Sequence, residues 1–167
     1  MKKMIVVLLV ALFYTGSNAA NAQTQTLDKA VLLNSYAIHS DNAAVRATRD
    51  LWKRAGEQKD ETWYKLPKGY LAVYTEDEVQ NRYVYDKKGN WVYALLTYPE
   101  KSLPADIRGL VKSTYYDYSI GWVKEVRQGM ETVYVVHVEN DKEWKDLAVR
   151  DGEMQTLRTI CKHSSSQ

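Results

Sequence analysis

The sequence has 167 residues, with 23 Lys and Arg against 21 Asp and Glu, and its aromatic residues are 13 Tyr, 5 Trp and a single Phe. That length suits one globular domain or two small units sharing a core, and it excludes a large multidomain enzyme. The near-balanced charge lacks the basic excess of a dedicated nucleic-acid binder, and one Cys excludes an intrachain disulfide framework or a multi-cysteine metal site.

Residues 1–22 read as a secretory signal. Lys2 and Lys3 precede the apolar run Met4 to Phe13, and Ala20-Asn21-Ala22 is a small-x-small cleavage site, with Ser17-Asn18-Ala19 as a second option. The run is shorter than the roughly 20 residues needed to span hydrocarbon. Cleavage would leave a periplasmic or secreted chain, free of the membrane or peripheral to it, with 145 residues, 21 bases, 21 acids and no Phe. Cys161 would then sit in an oxidising compartment without a partner in its own chain. Its place at the end of the apolar segment Met154 to Cys161 predicts a buried thiol, with an intermolecular disulfide or a reactive thiol as alternatives.

Residues 23–39 form a lead segment, expected to be loose at its beginning, with a short apolar stretch, Ala30 to Leu33. From residue 40 the pattern is helical. Ser40 or Asp41 can cap, Ala44, Val45, Thr48, Leu51, Trp52 and Ala55 recur at three- and four-residue steps with Trp52 as an anchor, and Gly56 ends the element. Strands are predicted over Thr62 to Leu66, Tyr70 to Thr75, Val79 to Tyr85 and Trp91 to Tyr98, the last two joined through Asp86-Lys87-Lys88-Gly89-Asn90. The order then repeats. Ser102-Leu103-Pro104 opens a helix with Ile107, Leu110, Val111, Thr114 and Tyr115 on its buried stripe. Strands follow at Tyr118 to Arg127, Thr132 to Glu139, Glu143 to Arg150 and Glu153 to Cys161, and 162–167 is a flexible tail. The predicted fold is α+β, with helices packed on an antiparallel sheet and two related helix-plus-four-strand units at about 40–98 and 102–161. A single irregular α+β domain is the alternative.

Strand alternation puts Trp91, Tyr93 and Leu95 on one face, and sets Tyr83 and Tyr85 against Arg82 and Val84, and Tyr70 and Tyr74 against Leu71 and Val73. Two readings are open. The rings can simply shield the sheet while aliphatic residues pack under the helices. Alternatively, Trp91, Tyr93, Tyr83, Tyr85, Tyr70 and Tyr74, with Arg82 beside them, form an exposed binding surface, because aromatic and Arg side chains dominate protein interfaces. Trp122, Tyr134 and Trp144 would make a weaker version in the second unit.

Chemistry is poorly signalled. His39, His137 and His163 have no metal-ligand spacing, no Gly-x-Ser-x-Gly, Walker or dinucleotide pattern is present, and Glu76-Asp77-Glu78 reads as a solvated turn. No catalytic residue, metal or cofactor is therefore expected.

Gly69-Tyr70-Leu71-Ala72-Val73-Tyr74, Tyr83-Val84-Tyr85-Asp86-Lys87-Lys88-Gly89-Asn90-Trp91, Leu103-Pro104-Ala105-Asp106-Ile107 and Val149-Arg150-Asp151-Gly152-Glu153-Met154 together resemble the exported PepSY-like proteins of Bacteroidota-type bacteria, also described as beta-lactamase-inhibitor-protein-like, or BLIP-like. The likeness covers about Asp41 to Ile160. It implies a small exported α+β protein, often of two related units and without assigned catalysis, in an architecture some of whose members bind or inhibit other proteins. The usual family strand favours Phe where this chain has Tyr74, and the resemblance supplies no site residues. The expected function is a non-enzymatic module for a protein, a peptide or a glycan, with no nucleic-acid partner. Homodimerisation through the same face, or an unrecognised periplasmic hydrolase, are the alternatives.

Overall fold

A computed structural model describes residues 30–57 and 60–162. The expected signal segment, most of the lead and the tail from His163 onward lie outside the described residues.

The described residues begin with β1 (Val31–Leu33), α1 (Ser35–Ser40) and α2 (Asn42–Ala55). Strand and helix thus occupy the end of the lead segment, where no element was expected, and the apolar Val31 to Leu33 pairs with β2 (Thr62–Leu66). Asn34 caps α1 through Ala37 N at 2.8 Å, and Asp41 Oδ1 caps α2 through Ala43 N at 3.0 Å. Each cap satisfies a backbone donor that the first turn leaves unpaired. Gly56, at φ 78°, ends α2 and returns its N–H to the Trp52 carbonyl. Then come β3 (Gly69–Glu76), β4 (Val79–Asp86), β5 (Trp91–Pro99), a 3-10 turn at Glu100–Ser102 and α3 (Ala105–Thr114). The chain ends in β6 (Ser119–Gln128), β7 (Glu131–Glu139), β8 (Glu143–Arg150) and β9 (Glu153–Cys161).

Among the described residues nine strands form one antiparallel sheet in the order of the sequence, each paired to the next. Four strands follow α2 and four follow α3, as the spacing predicts, and β5 pairs with β6 to join the halves into one sheet. The helices lie on one face. Ala44, Ala47 and Leu51 of α2 and Ile107 and Val111 of α3 share a core with Trp63, Tyr70, Tyr74, Tyr83, Tyr85, Leu96, Tyr98, Val123, Val136 and Leu147. The buried stripe of α2 is made largely of small side chains, which leaves depth for large rings opposite.

That packing corrects several expectations. The aliphatic-rich face was expected under the helices, and the tyrosine-rich face lies there instead. Trp52 is no anchor: it is 41% exposed, and its indole N–H donates to Glu61 Oε2 at 3.2 Å. Thr114 is exposed as well. Cys161 is exposed, because it ends the edge strand β9 rather than a covered one.

Candidate binding surface

The helix-free face is assembled from alternate residues in register. One row runs Tyr64, Leu71, Val84, Tyr93, the next Val73, Arg82, Leu95, Val126, Val133, and a third Thr97, Lys124, Val135, Ala148. Leu71, Leu95, Val126, Val133 and Val135 are buried yet form no part of the helix-side core. Longer neighbours on their own face therefore cover them.

The structure separates the seven residues predicted to form one surface. Tyr70, Tyr74, Tyr83 and Tyr85 are core residues beneath the helices. Tyr70 donates to Asp41 Oδ2 at 2.7 Å, Tyr74 stacks on Tyr83 with ring centroids 6.1 Å apart, and Tyr85 packs on Trp63. Burial raises the phenol pKa of Tyr74 and Tyr85 above its ordinary value. Trp91 lies on this side too, half-buried, with the Arg54 guanidinium 4.1 Å from its ring centroid. The cause is a bulge: the register steps from Val84–Tyr93 to Tyr85–Trp91, so Val92 is an extra residue and the simple alternation between Trp91 and Tyr93 fails. Tyr93 and Arg82 remain on the helix-free face, in neighbouring rows.

A second group on that face was only partly foreseen. A bulge between Ile120 and Val123 places Trp122 over His137, rings stacked with centroids 4.9 Å apart, and Trp144 lies against the imidazole at 5.2 Å. Lys124 Nζ stands 4.7 Å over Trp122, and the Arg158 guanidinium 5.0 Å over Trp144. The result is a line of cation, indole, imidazole, indole, cation across β6 to β9. Such contacts stabilise by about 0.5–2 kcal/mol each, more where water is excluded. The His137 imidazole N–H at Nδ1 donates to Asp146 Oδ1 at 2.9 Å, and Asp146 is buried. Tyr134, expected beside Trp122 and Trp144, packs on the helix-side core instead. Trp122, His137 and Trp144 were visible as residue types on adjoining strands. The bulge that aligns them has one signal in the sequence, Gly121, a lone glycine inside the predicted strand.

Burial lowers the pKa of the Lys124 ammonium, the nearby Arg82 guanidinium acts in the same direction, and Asp146 opposes both. Burial also raises the pKa of Tyr93, against the pull of Arg82. Among the described residues no group of three or more His, Cys, Asp or Glu side chains is arranged to hold a metal ion.

No family model and no curated protein matches the sequence. Solved structures do. A BLIP-like protein from Bacteroides fragilis superposes with a TM-score of 0.53 at 20% identity, covering 73% of this chain and 90% of that one. A DUF2874 family protein from Bacteroides ovatus gives 0.54 at 16% identity, over 70% and 85%. A Bacteroides eggerthii protein provisionally described as periplasmic gives 0.52 at 15% identity, over 70% and 86%. At such identities the likeness is one of fold: this chain shares with these Bacteroides proteins an α+β architecture of helices on one antiparallel sheet.

Proposed function

We propose that the chain is an exported, non-enzymatic binding protein that engages a protein or peptide through the helix-free face of its sheet. The observation that carries this reading is one-sidedness. The helices cover one face, and the other holds half-buried Tyr93, Trp122, Trp144 and Arg82, of the types enriched at protein interfaces, with Lys124 among them. The indole faces are already occupied by His137 and by cations, which favours a protein over a stacked sugar. The His137–Asp146 pair lacks a Ser or Cys nucleophile bonded to the imidazole among the described residues, which supports a structural role for it. Fold likeness to a BLIP-like protein and to one provisionally placed in the periplasm supports an exported module of the PepSY-like kind. The recurrence of one helix and four strands supports descent from two related units.

The test is capture from the envelope fraction of the source organism with wild-type protein, Tyr93→Ser and Trp122→Ala as baits, and Trp52→Ala as a helix-side control. Partners held by wild type and the control and lost by the other two are expected. Recovery of the same partners on all four baits would reject this face.

A further inference from the structure

The ligand chemistry of that face follows from two cations, and this inference rests on the binding reading above. Five Lys and Arg side chains among the described residues are half-buried: Arg82, Lys112, Lys124, Lys145 and Arg150. Three have oxygen partners. Lys112 donates to the Tyr118 carbonyl, Lys145 pairs with Glu143 at 2.7 Å, and Arg150 with Glu131 at 3.1 Å. Arg82 and Lys124 make neither an ion pair nor a side-chain hydrogen bond among the described residues. A partly desolvated cation without an anion is costly, and a ligand that brings the anion recovers that cost.

Their placement is that of a site. Arg82 faces Leu95 across the β4–β5 ladder, and Lys124 faces Thr97 across β5–β6. They flank β5 on one face, two strand spacings across and two residues along the strand, about 12 Å apart between backbones and within reach of two long side chains. Buried Leu95 and Val126 form the floor between them, Tyr93 lies in the row beside Arg82, and Trp122 lies under Lys124. Asp146 influences Lys124, but its carboxylate is engaged by His137.

We propose that Arg82 and Lys124 receive the carboxylates of an acidic, extended segment of a partner protein. A guanidinium fork and a point-charge ammonium can each take one carboxylate, or share one. Two cations over an apolar floor suit such a segment better than an anionic membrane, which calls for a cluster of roughly four to eight bases.

Selection of a random 12-residue peptide library on the purified protein tests this. Enriched sequences are expected to carry Asp or Glu. A synthetic peptide taken from them should lose at least about tenfold in affinity to the double variant Arg82→Gln/Lys124→Met, whose folding is checked by its melting curve. Two measurements need no variant: replacing the peptide's acids by Gln, and raising salt from about 50 to 300 mM, should each weaken binding several-fold. Neutral or basic enriched peptides, or indifference to the Gln peptides and to salt, would overturn the acidic ligand. Tighter binding of polygalacturonate or of phosphatidylglycerol vesicles through the same two residues would overturn its protein nature. If acid dependence fails but Tyr93→Ser abolishes binding, the face stands and the ligand class falls. If nothing enriches, or no substitution on the face matters, both fall.

Discussion

At Asp41 one carboxylate closes three parts of the fold. Oδ1 caps α2, and Oδ2 accepts from Tyr70 of β3 at 2.7 Å and from Lys65 of β2 at 3.1 Å. The Tyr70 hydrogen bond, with Lys65 and the cap, pulls the Asp41 pKa from 3.8 to about 2, and burial with the same carboxylate pushes Tyr70 from 10.0 to about 12. Folding therefore favours ionised Asp41 and protonated Tyr70. The Asp41 contribution is complete above about pH 4 and is lost as pH falls towards 2; the Tyr70 contribution is complete below about pH 10 and is lost as pH rises towards 12. Asp41→Ala should cost about 1–2 kcal/mol at pH 7, chiefly through the lost cap, and the gap to wild type should narrow between pH 4 and pH 2. Urea unfolding across that range measures it, and a gap independent of pH would refute the linkage. The cap is legible in the sequence, where an acid opens a helical pattern. Its partners stand 24 and 29 positions away, beyond the reach of local pattern.

Among elements, the β4–β5 hairpin is the best-anchored connection. Asp86 Oδ1 accepts from the Lys88 and Asn90 amides at 2.8 and 2.9 Å, and Gly89 stands at φ 77°. A Cβ on Gly89 would lie 2.1 Å from the Ala43 carbonyl oxygen at the start of α2, so the turn touches helix backbone directly. Gly152 shares the same φ of 77° in the β8–β9 turn, with open space where its Cβ would be. The pair separates two effects. Gly152→Ala should cost about 1 kcal/mol of backbone strain, and Gly89→Ala about 3 kcal/mol or more, lowering the melting temperature by roughly 10 °C. Equal losses would mean that the contact with α2 contributes nothing. The need for glycine in both turns is readable from sequence, and the helix behind Gly89 is not. The aromatic residues carry the same lesson. Alternation assigned Tyr83, Tyr85 and Arg82 to their opposite sides correctly, because β4 is regular up to that point. It misassigned Trp91 because one extra residue, Val92, inverts the parity. Which face the helices cover was also within reach: Ala44 and Ala47 on the inner stripe of α2 leave room that Tyr and Trp fill and smaller aliphatics would not.

In the whole molecule, the sheet ends in two free edges among the described residues, β1 and β9. On β1, Val31 and Leu32 are 62% and 64% exposed. Cys161 reports on the other end. It closes β9 and is exposed, so a maleimide should label the native protein without denaturant about as fast as the unfolded chain. Light scattering on the same sample should then give a monomer. Slow labelling that quickens on dilution would place a second copy over β9 and turn the edge into an interface. From α2 onward the number and order of elements were legible because Gly, Pro, Asn and Asp mark the turns between them, whereas β1 and α1 were not expected. The burial of Leu95 and Val135 without any helix above them depends on side chains from neighbouring strands, and no segment carries it alone.

Because every strand pairs with its neighbour in sequence, no ladder in the sheet requires a distant part of the chain. The loops that must close are short hairpins, except where α2 and α3 intervene, so the entropy of bringing partners together is met in small instalments. Assembly can start at any hairpin and spread by accretion, and the sheet has no step that waits for both ends of the polypeptide. The two end strands, each held along one side, are then the first to open. Amide exchange should grade outward from β4–β7, slowest in the middle and fastest at β1 and β9.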